Sequence, residues 1–350
     1  MSESAGEGSH RELQALKDAE KEYADLPEDT WGAALYTLVK DLPDILGGEI
    51  GKVNVVRFIF VIAVLVLNLY LQFMILYWIK KFVMDPSMRT AQDNYKAYHE
   101  MMFDVDGNPV GDFSEFPHPQ SLCQSALSNF GFITAILFLW AVTCLTEMRN
   151  IERLVKQFNR IPSLPEGESV SEMVNEKVTR ADNDGNDDVI ELLCLSKTTR
   201  FSIWLVIFLP KIGIVAFLTY TGMVWLTATQ SFADLILNAL ALEFVINIDD
   251  VLYSSFFPKN LVDCVGKMKI ANPALEESEK EDSLAGYWRS VYYLSIMFAF
   301  VIIYLLFLQP VLPGYSRDFG YYCSDFLAEE LSPKCAMGSH KDCFPFGHHS

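Results

Sequence analysis

Four acids and two amides interrupt an apolar run between residues 232 and 257: Asp234, Asn238, Glu243, Asn247, Asp249 and Asp250. Carboxylates set in so apolar a stretch can hold a cation, carry a proton or pair with a buried base, because a bare charge in hydrocarbon is costly. At about 100° per residue they fall on two faces. Asp234, Asn238 and Asp249 share one, and Glu243, Asn247 and Asp250 share roughly the opposite one. On the insertion scale a central Asp costs roughly 2.5–3.5 kcal/mol, and each Leu, Ile, Phe or Val returns only about 0.3–0.6. Glu243, near the middle, therefore needs shielding by other helices or a wet cavity. The preceding run, 201–226, carries Pro210 and Lys211. Folding it back through the short connection at 227–231 sets Lys211 about level with Asn247, within a turn of Glu243 and Asp250. Three readings fit this pairing: a buried bridge that locks the hairpin, a cation or proton site with Lys211 as counter-charge, or a signal that recruits another membrane subunit.

Two acidic strings repeat Asp-x-Asp-Gly-Asn. The first puts Asp104, Asp106, Asn108, Asp112 and Glu115 at positions 1, 3, 5, 9 and 12 of a calcium loop. Pro109 occupies the sixth position, where a calcium loop needs Gly for its sharp turn. The expectation is a β-turn at Asp106-Gly107, with weak extracellular calcium binding as the alternative. The second string, Asp182 to Asp188, ends on Leu193 at its twelfth position and reads as a solvated acidic loop.

Cys123, Cys323, Cys335 and Cys343 fall on one side of the expected membrane topology, whereas Cys194 and Cys264 fall on the other. An even set in an oxidising compartment predicts two disulfides, one of them tying Cys123 to the C-terminal tail. His340, His348 and His349 add zinc-ligand types, but the paired short Cys spacings of a zinc site are missing. No zinc-protease, hydrolase or phosphate-loop motif is found, so an enzyme is not expected.

These groups need a scaffold, and the hydropathy pattern supplies it. Half of the 350 residues are hydrophobic (51%), yet the formal charge is -18, with the acids gathered between long apolar runs. Runs of about 20 residues match a bilayer's hydrocarbon core. The expected fold class is all-α, a polytopic membrane helix bundle with about five spans: 53–80, 126–148, a hairpin over 201–257, and 291–310. The first run carries Arg57 near its start and the neutral polar Asn68 and Gln72, and the last closes on Gln309 and Pro310. Residues 1–52 form an N-terminal segment in which Trp31, Leu35, Leu38, Val39, Leu42, Ile45 and Leu46 recur at helical spacing behind Pro27-Glu28-Asp29. This amphipathic helix over 11–46 is expected to kink at Pro43, and to lie under the membrane or pack on the protein itself.

The second span should continue as a helix to Ile161, stopped by Pro162, within the loop 149–200. The remaining segments are 81–125, 258–290 and a Cys-containing cap at 311–350. Lys and Arg number nineteen on the N-terminal side of this topology and seven on the other. That bias puts the N-terminus in the cytosol and the C-terminus outside, in the plasma membrane or secretory-pathway membranes. The acidic balance argues against nucleic acid as a partner. The expected partners are the lipid bilayer and a second membrane subunit or copy. The function expected is transport, as an oligomeric cation or proton channel using the acids of the fourth span. The alternative is an assembly or anchoring subunit without transport.

Overall fold

The computed structural model describes residues 21–47, 52–104, 106, 108–117, 119–165, 173–182, 185–273, 283–312, 318–320 and 322–323. The chain is mostly helical. In order the helices are α1 (Thr30–Gly47), α2 (Lys52–Trp78), α3 (Asp85–Met102), α4 (Pro119–Cys123), α5 (Phe130–Arg160), α6 (Lys197–Ile203), α7 (Leu209–Ala228), α8 (Phe232–Ile246), α9 (Ile248–Phe256), α10 (Lys259–Lys267) and α11 (Ser283–Ile303). Among the described residues, four helical stretches, Lys52–Met102, Phe130–Arg160, Lys197–Ala228 and Tyr287–Leu308, are long and apolar enough to cross a membrane. α5 continues to Arg160, as its extended apolar stripe requires.

Three expectations need correction. The fourth predicted span, 232–257, is not one helix. α8 has 15 residues and α9 has 9, and Asn247 between them takes φ -89°, ψ 13°, a sparsely populated bridge conformation. Neither half reaches the roughly 20 residues of a full span. Nor is the fold all-α. Strands β1 (Lys21–Asp25), β2 (Val174–Asp182), β3 (Gly185–Leu192) and β4 (Met268–Pro273) form one sheet in the order β1-β4-β3-β2. The β3–β4 pair is parallel and the other two are antiparallel. The acidic string at Asp182 to Asp188 therefore belongs largely to a hairpin, with Asp182 opposite Gly185. In the N-terminal segment, Lys21–Asp25 is strand, and α1 runs through Pro43 to Gly47.

The chain divides into two compact units. The first comprises Met1–Ile75, Leu145–Phe217 and Phe244–Tyr287. Its centre is α1, whose Ala33, Leu35, Tyr36, Thr37, Val39 and Asp41 are all buried. Burial on so many sides means that α1 does not lie on a membrane surface with one face in water. It packs against α6, α9 and α10. Burial pushes the Tyr36 hydroxyl's pKa above its ordinary value. Arg57 of α2 grips the fully buried Asp41 through both carboxylate oxygens and lies over the Tyr36 ring. A planar guanidinium suits this two-point hold on a carboxylate.

The second unit comprises Leu76–Cys144, Leu218–Glu243 and Trp288–Ser350. Here Tyr98 of α3 is fully buried, with Phe103, Phe113, Phe116 and Phe319 edge-on around its ring. Cys123 and Cys323 stand at disulfide distance, with Cα atoms 5.0 Å apart. Beside them Asp318 takes His99 Nε2 at 2.9 Å and the Tyr95 hydroxyl at 3.2 Å. Cys335, Cys343 and the tail histidines lie outside the described residues. Gly222 of α7 packs against Trp140 of α5 so closely that a Cβ would sit 2.5 Å from the indole nitrogen.

Candidate functional site

Asp29 ends the turn that leads into α1. Its Oδ1 accepts the Gly32 N–H at 2.6 Å, and its carbonyl accepts the Ala33 N–H. This is the N-cap role that Asp fills well. The turn is tight because Gly32 lies against Pro27. A Cβ on Gly32 would stand 1.8 Å from the Pro27 carbonyl oxygen. The cap leaves Asp29 Oδ2 free to point elsewhere, and it accepts from Lys211 Nζ at 3.0 Å.

Lys211 is held from three directions. Besides Asp29, Asp249 Oδ2 lies 4.0 Å from Nζ, and the ammonium sits 5.6 Å from the centre of the Trp31 ring. Only 11% of its side chain is exposed. A π-helical turn, Trp204–Phe208, immediately precedes Pro210 and Lys211. Proline cannot give the backbone hydrogen bond that an α-helix would use there, and a π turn accommodates the loss. α9 is fixed to α1 by the Thr30 hydroxyl, which donates to the Asp249 carbonyl at 2.8 Å.

Around this group lies a cavity of about 350 Å³. Its lining includes six acids, Asp25, Glu28, Asp29, Glu147, Asp249 and Asp250, but only two bases, Arg153 and Lys211. Asp25 is paired with Lys269. Carboxylate oxygens of Asp29, Asp249 and Asp250 lie within 4.8 Å of one another, the one such trio of His, Cys, Asp or Glu ligands among the described residues. Oxygen ligands at that spacing suit a hard cation, and their crowding equally suits a shared proton.

Of the predicted network, the cavity gathers Lys211, Asn247, Asp249 and Asp250. Asp234, Asn238 and Glu243 belong to the second unit. There Asp234 and Glu243 are exposed, and Asn238 donates to the Thr229 hydroxyl at 2.9 Å. The sequence reading missed Asp29 and Glu147. Asp29 was visible only as a helix-start residue, and Glu147 as one acid at the end of a span. In the 104–115 loop the chain turns back on itself. Phe103 bridges Pro109, and the Asp104 N–H donates to the Asn108 carbonyl. Asp106, Asn108, Asp112 and Glu115 are exposed along it, and Gly107 of the expected β-turn lies outside the described residues. No family model, no curated protein and no solved structure matches the chain.

Proposed function

We propose that this is a membrane protein that passes a cation or proton, and that the acidic cavity around Lys211 is its ion-handling site. The reading has five membrane-embedded segments, four full spans and the broken α8–α9, with the N-terminus cytosolic and the tail outside. The excess of Lys and Arg on the N-terminal side supports that orientation. The observation that carries the function is the surplus of acid. One lysine meets a trio of carboxylates, with Glu147 lining the same cavity. A bridge that merely locked the helices together would need a single acid. A second and third carboxylate crowded beside it store negative charge that a mobile cation or proton can neutralise.

The test is flux through the purified protein in proteoliposomes, read with pH-, sodium- and potassium-sensitive dyes. Wild type should conduct, and Asp249→Asn with Asp250→Asn should fold and lose conduction. A wild type that passes no ion, or a folded double variant that conducts normally, overturns the reading.

A second reading, an assembly or anchoring subunit, is favoured by the last span. Only 17% of the apolar window in Tyr287–Leu308 is buried, against 33% in each of the other three. Such a helix offers a broad face to lipid or to a neighbouring subunit. This reading requires a stable larger complex after mild extraction, with no conductance from the isolated chain.

A further inference from the structure

α2 carries two amides that the acidic cavity does not use. Asn68 is fully buried and Gln72 is 3% exposed. They are four residues apart, and so share one face of the helix. Asn68 has no hydrogen-bond partner for either Nδ2 or Oδ1 among the described residues, and Gln72 has none for Oε1. Gln72 Nε2 donates to the Val245 carbonyl at 3.4 Å, two residues before the break at Asn247. A second contact fixes the register. Phe60 meets Phe257 edge-on, with ring centres 5.6 Å apart. Twelve residues forward along α2, from Phe60 to Gln72, correspond to twelve backward, from Phe257 to Val245. The two elements are thus antiparallel, and Asn68 stands level with Asp249. The interruption at Asn247 falls between the levels of Asn68 and Gln72.

We propose that Asn68 and Gln72 form a binding station for a monovalent, partly hydrated cation beside the interrupted helix. The proposal deepens the transport reading and rests on it. Three features specify the ligand. The free Oδ1 and Oε1 are neutral oxygen acceptors, the ligand type that carbonyl-lined cation sites use. The free Nδ2 is a donor, which calls for water in the same space rather than a bare ion. The acids at the level of Asn68 select for positive charge, while neutral amides lack the ligand charge that a divalent ion requires. A break in a membrane helix is where backbone carbonyls become available to an ion, and where water is tolerated at membrane depth.

The experiment compares Asn68→Cys and Gln72→Cys in proteoliposomes with Leu67→Cys, a neighbouring position on the exposed side of α2. The probe is a cationic methanethiosulfonate reagent, with modified sites identified by peptide mass spectrometry so that native thiols do not interfere. Both test positions should react about tenfold faster than Leu67→Cys, since thiol modification follows access to water. Sodium or potassium chloride, but not choline chloride, should slow them. Rates no greater than that of Leu67→Cys, or rates indifferent to sodium and potassium, overturn the station.

A measurement on the native chain guards against misfolded variants. Sodium or potassium should raise the melting temperature above that in choline chloride at equal ionic strength, because a bound ligand stabilises the folded state. Asn68→Leu should abolish the rise, and a rise that survives this change also overturns the station. If the thiol and melting results hold while wild type shows no flux, the station stands and the transport reading falls.

Discussion

Asp29 and Lys211 lie 182 positions apart in the chain, yet Asp29 Oδ2 receives the Lys211 ammonium at 3.0 Å. The other oxygen of the same carboxylate caps α1 through the Gly32 N–H. One side chain therefore both starts a helix and holds the buried lysine of another. The two roles separate by substitution. Asn retains good capping ability, whereas Ala loses it at a cost of typically about 1 kcal/mol. Both Asp29→Asn and Asp29→Ala should lower thermal stability in detergent, with Ala lower by roughly that increment. Equal losses would show that the cap contributes nothing.

Lys211→Met leaves Asp29 and Asp249 without their cation, whereas Lys211→Met with Asp29→Asn also removes the charge of the acid that holds the lysine at 3.0 Å. Breaking one partner of a buried pair costs about 3–5 kcal/mol, and replacing both is often close to neutral. The double variant should therefore melt above the single one. A double variant no more stable than Lys211→Met would mean that Asp29 is not the principal partner.

Arg57 and Asp41 form the second buried pair, with side-chain exposures of 19% and 0%. A structural role is expected for this pair. Arg57→Met should cost roughly 3–5 kcal/mol, and Asp41→Leu added to it should recover much of that loss. Urea unfolding of the four-member mutant cycle measures the coupling. A coupling near zero would place the stability of α1 in its apolar packing alone.

Gly222 and Trp140 set the approach of α7 to α5, with no room for even a methyl group between them. Gly222→Val should cost about 1–3 kcal/mol through overpacking. Trp140→Leu should relieve part of that loss when combined with it. Thermal unfolding decides the matter: a Gly222→Val variant as stable as wild type would mean that the helices are not in close contact there.

Cys123 and Cys323 are expected to be linked, closing a loop with a sequence separation of 200. Non-reducing peptide mapping should return a fragment joining them. Cys123→Ser should loosen the aromatic cluster around Tyr98, read as faster proteolysis of the 318–323 segment. Free thiols at both positions in protein from an oxidising compartment would reject the link.

Patterns that repeat within a dozen residues were legible in the sequence by itself. Hydropathy marked the four long apolar helices, Pro27-Glu28-Asp29 marked the start of α1, and the stripe beyond residue 148 marked the extension of α5 to Arg160. Folding one run back on the next put Lys211 about level with Asn247, within a turn of Glu243 and Asp250, but the acids at the lysine are Asp29 and Asp249, and Glu243 belongs to the other unit.

Tertiary structure decided which other charges came to that lysine. Asp29 and Glu147 belong to segments far away in sequence, and nothing periodic about a lone carboxylate announces a distant partner. The sheet was hidden for the same reason. Its parallel β3–β4 pairing joins Ile190 to Met268, and a long-range ladder of this kind leaves no local trace. The interruption of the fourth segment at Asn247 is likewise nonlocal. Thr30 fixes Asp249 on one side of the break and Gln72 meets the Val245 carbonyl on the other. Local propensity sets where a helix can form, but contacts brought by the rest of the chain determine whether it stays whole.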